Sequence, residues 1–403
     1  MNRISLLAAV ACLLSLRAAA DPTVTVSAGK WDRENAVVTF KLPEGVPPAP
    51  AWQLRDGATA VPVQPLPDGR AAFVLPALKA GESKTYRLVP YKAKVANAAN
   101  AAREGNNVAV SLSDKQVIRY NGDKTPLPEK FEPAFQRGGY IHPVLSPSGK
   151  LLSDDYPPAH KHHHGIWMPW TKTEFDGRKP DFWNMGQKSG TVEFASVDGT
   201  FSGPVAAGFS AKHRFVDLSA KPQPKVALNE TWDVVVYAVA SSGGNPVFVY
   251  DLTSTQTCAT DQPLVLPKYH YGGLGFRGNR QWDGKANATF LTSEGKTRAD
   301  GNESTATWVH IAGRTDGTVD ASTAGLAILN HPENFRAPQP LRIHPTEPFV
   351  CYAPQVGGEM KIEPGKPYVS RYRFVAADGP ADKGMLDRLY ADYATPAEVV
   401  VKQ

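Results

Sequence analysis

A chain of 403 residues with 42% hydrophobic and 21% charged side chains has the apolar material for one large core or two ordinary ones, which excludes a disordered tail or a fibre. Its formal charge of +5 is spread without a long basic run, so nucleic acid is not an indicated partner. The 35 prolines and 34 glycines are scattered evenly, which suits many strands joined by turns and disfavours long helices.

The first twenty residues read as a signal peptide. Arg3 supplies the positive start, residues 4–16 a short apolar run, and Ala18, Ala19 and Ala20 the small-residue cleavage site, which puts the mature start at Asp21 and predicts an exported protein, periplasmic or extracellular. No later stretch is long enough to span a bilayer. Cys12 leaves with the signal, so Cys258 and Cys351 remain. An oxidising compartment would let them pair, and two buried free thiols in strands fit the sequence equally well.

Beyond Asp21, residues 37–42 alternate in polarity and residues 71–75 and 85–89 give two further short strands, so residues 21–92 predict a small β-sandwich. Residues 93–106 are rich in Ala and Asn with little periodic apolar content, and predict a linker or short helix. Residues 107–395 predict a second, larger β unit, with strands at 108–112, 191–197, 226–239, 247–257, 307–312, 325–329 and 368–376. In the longest of these, Val226, Leu228, Glu230, Trp232 and Val234 share one face by the two-residue period, which sets a carboxylate among apolar neighbours. Only the end predicts a helix: Asp382 is a fitting N-cap, and Met385, Leu389 and Tyr393 recur at four-residue spacing. The fold class is therefore mainly β, a small sandwich followed by a large one with a C-terminal helix.

Candidate chemistry concentrates in residues 138–186, where His142 is followed by the run His160, His162, His163, His164. In an extended stretch His160, His162 and His164 point one way and His163 the other, so these three are candidate ligands of a divalent metal, although their spacing matches no defined zinc signature. Imidazole also titrates near neutrality, which makes His142, His163 and His164 candidate acids and bases. Trp167 and Trp183, with Trp170 beside them, offer flat faces for a sugar ring, and ordinary core burial explains any one of them as well. Glu230 is a candidate general base whose proton affinity an apolar face would raise, although a structural partner for an arginine is the commoner role of an isolated carboxylate. Downstream, His270 and Arg277 flank a glycine-rich stretch suited to a hydroxylated or anionic ligand, and His331, Asn334 and Arg336 follow a strand end where they would line a sandwich mouth or build an Asx-Pro turn.

Together these segments resemble the bacterial PmoA-like family, labelled methane oxygenase PmoA. The resemblance rests on Tyr140-Ile141-His142-Pro143, the run His160 to Gly165, Phe182-Trp183-Asn184, Ser293-Glu294-Gly295, Asn330-His331-Pro332 with Asn334, and Asp378-Gly379-Pro380, and it covers roughly residues 107–395. Methane oxidation does not follow from the label, because the membrane monooxygenase subunit of that name is built from transmembrane helices. A looser resemblance is to the galactose mutarotase-like β-supersandwich, whose members project His and Glu from a sheet into an open sugar cleft. It implies a supersandwich fold for the larger unit and sugar chemistry of the epimerase, lyase or hydrolase kind, by fold analogy alone. The expected function is a carbohydrate-active enzyme with histidine acid/base chemistry. The alternative is a noncatalytic carbohydrate-binding or cell-surface module with structural histidines.

Overall fold

The computed structural model describes residues 21–42, 51–57, 59–91, 96–315 and 323–402; the predicted signal peptide lies outside them. The strand Lys225–Tyr237 shows how the alternation builds the molecule: Leu228, Glu230, Trp232, Val234 and Val236 are buried, and Asn229 and Asp233 face out. It sits inside an antiparallel sheet of long strands, between Ala206–Asp217 and Asn245–Cys258, which continues through Tyr368–Asp378, Thr323–Asn330 and Trp308–Arg314 to Ala288–Thr292. Val, Phe, Tyr and Thr dominate these strands because β-branched and aromatic side chains pack well on a pleated surface.

A second antiparallel sheet faces it. Its order runs from Leu341–Ile343 through Phe349–Tyr352, Leu274–Arg277, Ile166–Trp167, Tyr140–Val144, Lys115–Asn121 and Asn107–Leu112 to Ala99–Glu104. Ile118, Tyr120, Ile141, Ile166, Phe276 and Val350 from this sheet and Phe209, Trp232, Tyr250, Leu326 and Phe374 from the other share one buried core. Tyr120 spans the gap, its ring 4.9 Å from Phe209 and 6.5 Å from Trp232. The protein is therefore mainly β, with two sheets packed face to face.

One expectation is corrected here. Ala99–Glu104 falls in the stretch read as linker or helix, yet it forms an edge strand paired with Asn107–Leu112. Its signal is weak because an edge strand needs little burial, and only Ala99 of the six is buried. Beyond residue 395, where the larger unit was read to end, Glu398–Lys402 returns to the small N-terminal sheet and pairs with Thr23–Ser27, Val401 opposite Val24. That sheet, ordered from Arg33–Lys41 to this C-terminal strand, folds around its own core of Val26, Val38, Leu54, Val63, Phe73 and Leu88.

The helix Lys383–Ala394 forms as expected, with the Asp382 carboxylate accepting the Met385 N–H at 2.9 Å. Met385, Leu386 and Leu389 pack on the outer face of the first sheet against Trp308, Leu329 and Val375. Burying each leucine stabilises by about 1.5–3 kcal/mol.

Candidate functional site

The site stands on the outer face of the second sheet. Ile141, Ile166, Phe276 and Val350 point into the core, so the two-residue period turns Tyr140, Trp167, Arg277, Phe349 and Cys351 the other way. The loop between Val144 and Ile166 folds back over this face. Gly165 makes that return possible, because a Cβ there would lie 2.2 Å from the Ile141 carbonyl oxygen.

The histidine run is not extended. The His160 N–H donates to the Pro157 carbonyl at 3.0 Å and the His163 N–H to the His160 carbonyl at 2.8 Å, which is a turn. The expected alternation therefore fails, and so does the metal set. His160, His162 and His163 fan together, whereas His164 turns away to Asp155 and is not gathered with His160 and His162. Among the described residues no group of three or more His, Cys, Asp or Glu is placed to hold a metal ion.

His163, fully buried, lies between the His160 ring at 4.7 Å and the Phe349 ring at 4.7 Å, with Trp167 at 5.1 Å. His344, from a distant segment, approaches His160 at 5.4 Å. On the other side, His164 stacks on Tyr140 at 4.3 Å and meets Tyr156 edge-on at 4.9 Å. Its Nδ1 is 2.6 Å from Asp155 Oδ1, and the Tyr140 hydroxyl donates to Asp155 Oδ2 at 2.6 Å. His142 joins through Ser153, whose hydroxyl is 2.8 Å from His142 Nδ1.

Arg277 closes the lower edge. It is fully buried, donates to Glu347 at 2.7 Å and to Asp283, and has Asp154 Oδ2 4.0 Å from its Nε. Glu347 in turn lies 3.9 Å from His160 Nδ1. Arg280 holds Asp154 with two hydrogen bonds, at 3.1 and 2.9 Å.

Burial governs the electrostatics. It holds His142, His160 and His163 below the ordinary imidazole range, His162 down at about 3 and His344 at about 4, so these rings are neutral near pH 7. Burial also lowers His164, against the pull of Asp155. For Asp155 burial acts upward, and the neighbouring imidazole and hydroxyl outweigh it, leaving an ionised carboxylate. Asp283 is raised to about 6 by burial, with Arg277 opposing and Glu347 adding to the rise, while Arg277 keeps Glu347 below the usual range. Of the two carboxyls Asp283 is therefore the one that takes up a proton first, as pH falls to about 6.

Five buried polar atoms of this cluster have no hydrogen-bond partner: His160 Nδ1, His163 Nδ1, His164 Nε2, Trp167 Nε1 and Arg277 Nε. Buried donors and acceptors are nearly always paired, so a concentration of orphans marks a place where something else is to be bonded. The rings nevertheless pack on one another instead of lining an open void. Cavities of about 820 and 470 Å³ lie elsewhere on the molecule.

Several expected site residues belong elsewhere. Glu230 is buried in the core, accepting from Ser254 at 2.6 Å and Gln256 at 2.8 Å and lying 3.0 Å from His213 Nδ1. Burial acts to raise its pKa, but these partners outweigh it and lower it, the reverse of the weakened acid expected. Trp167 and Trp183 are 0% and 3% exposed, so neither offers a free face for a sugar. Asn334 clamps the Arg371 backbone with bonds of 2.8 Å in both directions, Arg336 donates to the carbonyls of Pro354, Gly358 and Glu359, and His331 accepts the Glu333 N–H and rests on Tyr393. These three serve the turn after Asn330. His270 only flanks the cluster, through Tyr271, which it meets at 4.6 Å and which reaches Trp183 at 5.9 Å. Cys258 and Cys351 are free thiols, Cys258 donating to the Ile362 carbonyl at 3.1 Å.

The reading of the sequence missed Ser153, Asp155, Asp283, His344 and Glu347. Asp155 carried a usable signal, an acid five residues before the first histidine of the run. His344 and Glu347 carried none, because only the sheet order brings residues 344–347 beside residue 160.

Fold and site define a two-sheet β-sandwich protein with a buried, partly unsatisfied histidine and carboxylate cluster on one outer face. Residues 107–391 match the family of unknown function DUF6807, and the chain belongs to that family. No curated protein matches it. Among solved structures it is similar, at 11% identity and a TM-score of 0.21, to a TPR-domain containing protein from Parabacteroides distasonis, over 87% of this chain and 57% of that one. The chain thus spans little more than half of that structure's length. Among the described residues no helix is long and apolar enough to cross a membrane.

Proposed function

We propose that the protein is an exported carbohydrate-active enzyme in which His164, oriented by Asp155, moves a proton at a sugar carbon or oxygen. The observation that carries this reading is the pairing of a held Nδ1 with an orphaned Nε2 on one buried imidazole. Asp155 keeps the proton on Nδ1, which leaves the Nε2 lone pair as the base and stabilises the imidazolium once it forms. The His164 imidazolium so formed would return the proton, and Arg277 and the Trp167 N–H would orient hydroxyl or carbonyl oxygens. Such acid/base help is worth about 10²–10⁴ in rate. The resemblance to the PmoA-like and mutarotase-like proteins is part of this proposal, without methane oxidation.

The second reading is a noncatalytic carbohydrate-binding module, and the closed packing of His163 with Trp167, Trp183 and Phe349 favours it. Screening neutral sugars, uronic acids and unsaturated sugars for both binding and conversion separates the two. Conversion lost in His164→Ala with ligand affinity retained supports the enzyme. Binding without conversion of any bound sugar supports the module.

A further inference from the structure

Arg137 is 3% exposed and forms no ion pair with any described residue. Its Nε donates to the Gly138 carbonyl at 3.1 Å and its Nη2 to the Gly139 carbonyl at 3.2 Å. Nη1 donates to no protein atom, and it is absent from the sealed orphans, so it is the end of the guanidinium that meets solvent. Arginine keeps its charge in proteins even where burial, as here, lowers its pKa. Glu230 acts on it electrostatically, but that carboxylate is already taken up by Ser254, Gln256 and His213. With no carboxylate in direct contact, Nη1 keeps its hydrogen-bonding capacity for an anionic ligand.

The space beside this residue is large. Arg137 lines a cavity of about 820 Å³, whose rim carries Lys124 and Lys188. Asp123 and Glu193 also line it, but Asp123 is held by the side chains of Asn106 at 2.7 Å and Asn107 at 3.3 Å, and Glu193 is exposed at the edge. Gly138 lets the backbone after Arg137 pack against residue 122, since a Cβ there would lie 2.0 Å from the Gly122 carbonyl oxygen. Of these residues Arg137 alone bears on the histidine cluster, its charge adding to the lowering of His164.

We propose that this cavity binds a small ligand bearing an oxyanion (carboxylate, sulfate or phosphate) held end-on by Nη1 of Arg137. Lys124 draws the anion in from solvent, helped by Lys188, which lies 3.6 Å from Glu132, and the single free nitrogen dictates one oxygen contact instead of a two-point clamp. The inference is independent of the proposed chemistry at His164 and stands or falls without it.

Calorimetric titration of the full chain at low salt with inorganic phosphate, sulfate and glucuronate, with glucose as the uncharged control, tests it. At least one anion binds at a single site, weakening as sodium chloride is raised, while glucose is silent; which anion binds tells an inorganic oxyanion from an acidic sugar. Arg137→Gln loses at least about tenfold in affinity with its circular dichroism unchanged. No binding of any anion up to about 20 mM, or equal affinity in Arg137→Gln, overturns the proposal. If Arg137→Gln does not fold, Thr191→Trp, which fills the cavity from its strand wall, decides: lost binding supports the site and unchanged binding overturns it.

Discussion

His164 and Asp155 face each other across 2.6 Å, and the same carboxylate takes the Tyr140 hydroxyl at 2.6 Å on its other oxygen. Both oxygens are thus engaged by donors, which fixes the tautomer of His164. Asp155→Asn replaces one acceptor with an NH2 group that faces a donor and leaves the ring free to rotate. We expect any conversion of substrate to fall by about 10² or more, with a stability loss of about 1.5–3 kcal/mol from the charged hydrogen bonds. Product formation and urea unfolding on the same preparation check both. A variant that turns over normally would remove His164 from the mechanism.

Glu230 gives the contrasting case. Its carboxylate satisfies Ser254, Gln256 and His213, Gln256 in turn accepts the Trp170 N–H at 2.7 Å, and His213 reaches the Tyr120 hydroxyl at 2.8 Å. The network ties both sheets together through the core. Glu230→Ala strands these groups in low dielectric and is expected to cost about 3–5 kcal/mol in urea unfolding. Ligand affinity at the histidine cluster should persist under native conditions. Full stability with lost activity would restore the catalytic role first expected of Glu230.

The sequence made this residue's burial legible and its partners illegible. Period-two alternation places Glu230 beside Leu228 and Trp232 on an inward face, but His213 and Ser254 become its neighbours only through cross-strand register, His213 directly opposite and Ser254 opposite Trp232. The same limit explains the histidine run. Its clustering was visible, but the turn at Pro157 to His163 replaced an assumed extended chain, so the rings grouped differently. The helix after Asp382 was readable because its cap and spacing are local. The C-terminal strand was not, because its partner Thr23–Ser27 lies at the far end of the chain.

Acid should destabilise the fold in a defined window. His162 is held at about 3 and His344 and His310 at about 4 by burial, whereas an unfolded histidine titrates near 6.5. Above that value both states are neutral and nothing changes with pH. As pH falls below about 6.5 the unfolded chain takes up protons that the native rings refuse, so stability is lost progressively until the native values near 4 and 3 are reached. Each histidine contributes a slope of up to about 1.4 kcal/mol per pH unit, less where solvent reaches the ring. Urea midpoints measured from pH 7.5 to 4.5 should fall steadily below pH 6.5, and His344→Gln should flatten the curve. A flat profile would mean these rings are charged in the native state.

Arg33 links the two β units and the helix. Buried together with Asp392, it donates to that carboxylate at 2.8 Å, to the Thr395 carbonyl at 2.7 Å and to the Ala28 carbonyl at 3.0 Å. One side chain thereby ties the start of the small sheet to the end of the helix, just before the C-terminal strand returns to pair with Thr23–Ser27. Asp392→Ala leaves the guanidinium buried without its anion and is expected to cost about 3–5 kcal/mol. Replacing both partners, Arg33→Met with Asp392→Leu, removes the stranded charge and should recover most of that loss. Deleting residues 398–403 instead bares the edge of Thr23–Ser27, whose unpaired backbone groups invite association with a second chain. Urea unfolding of the three variants, with light scattering on the deletion, tests the arrangement. If the double replacement is no more stable than Asp392→Ala, the cost lies in lost packing and not in the buried charge.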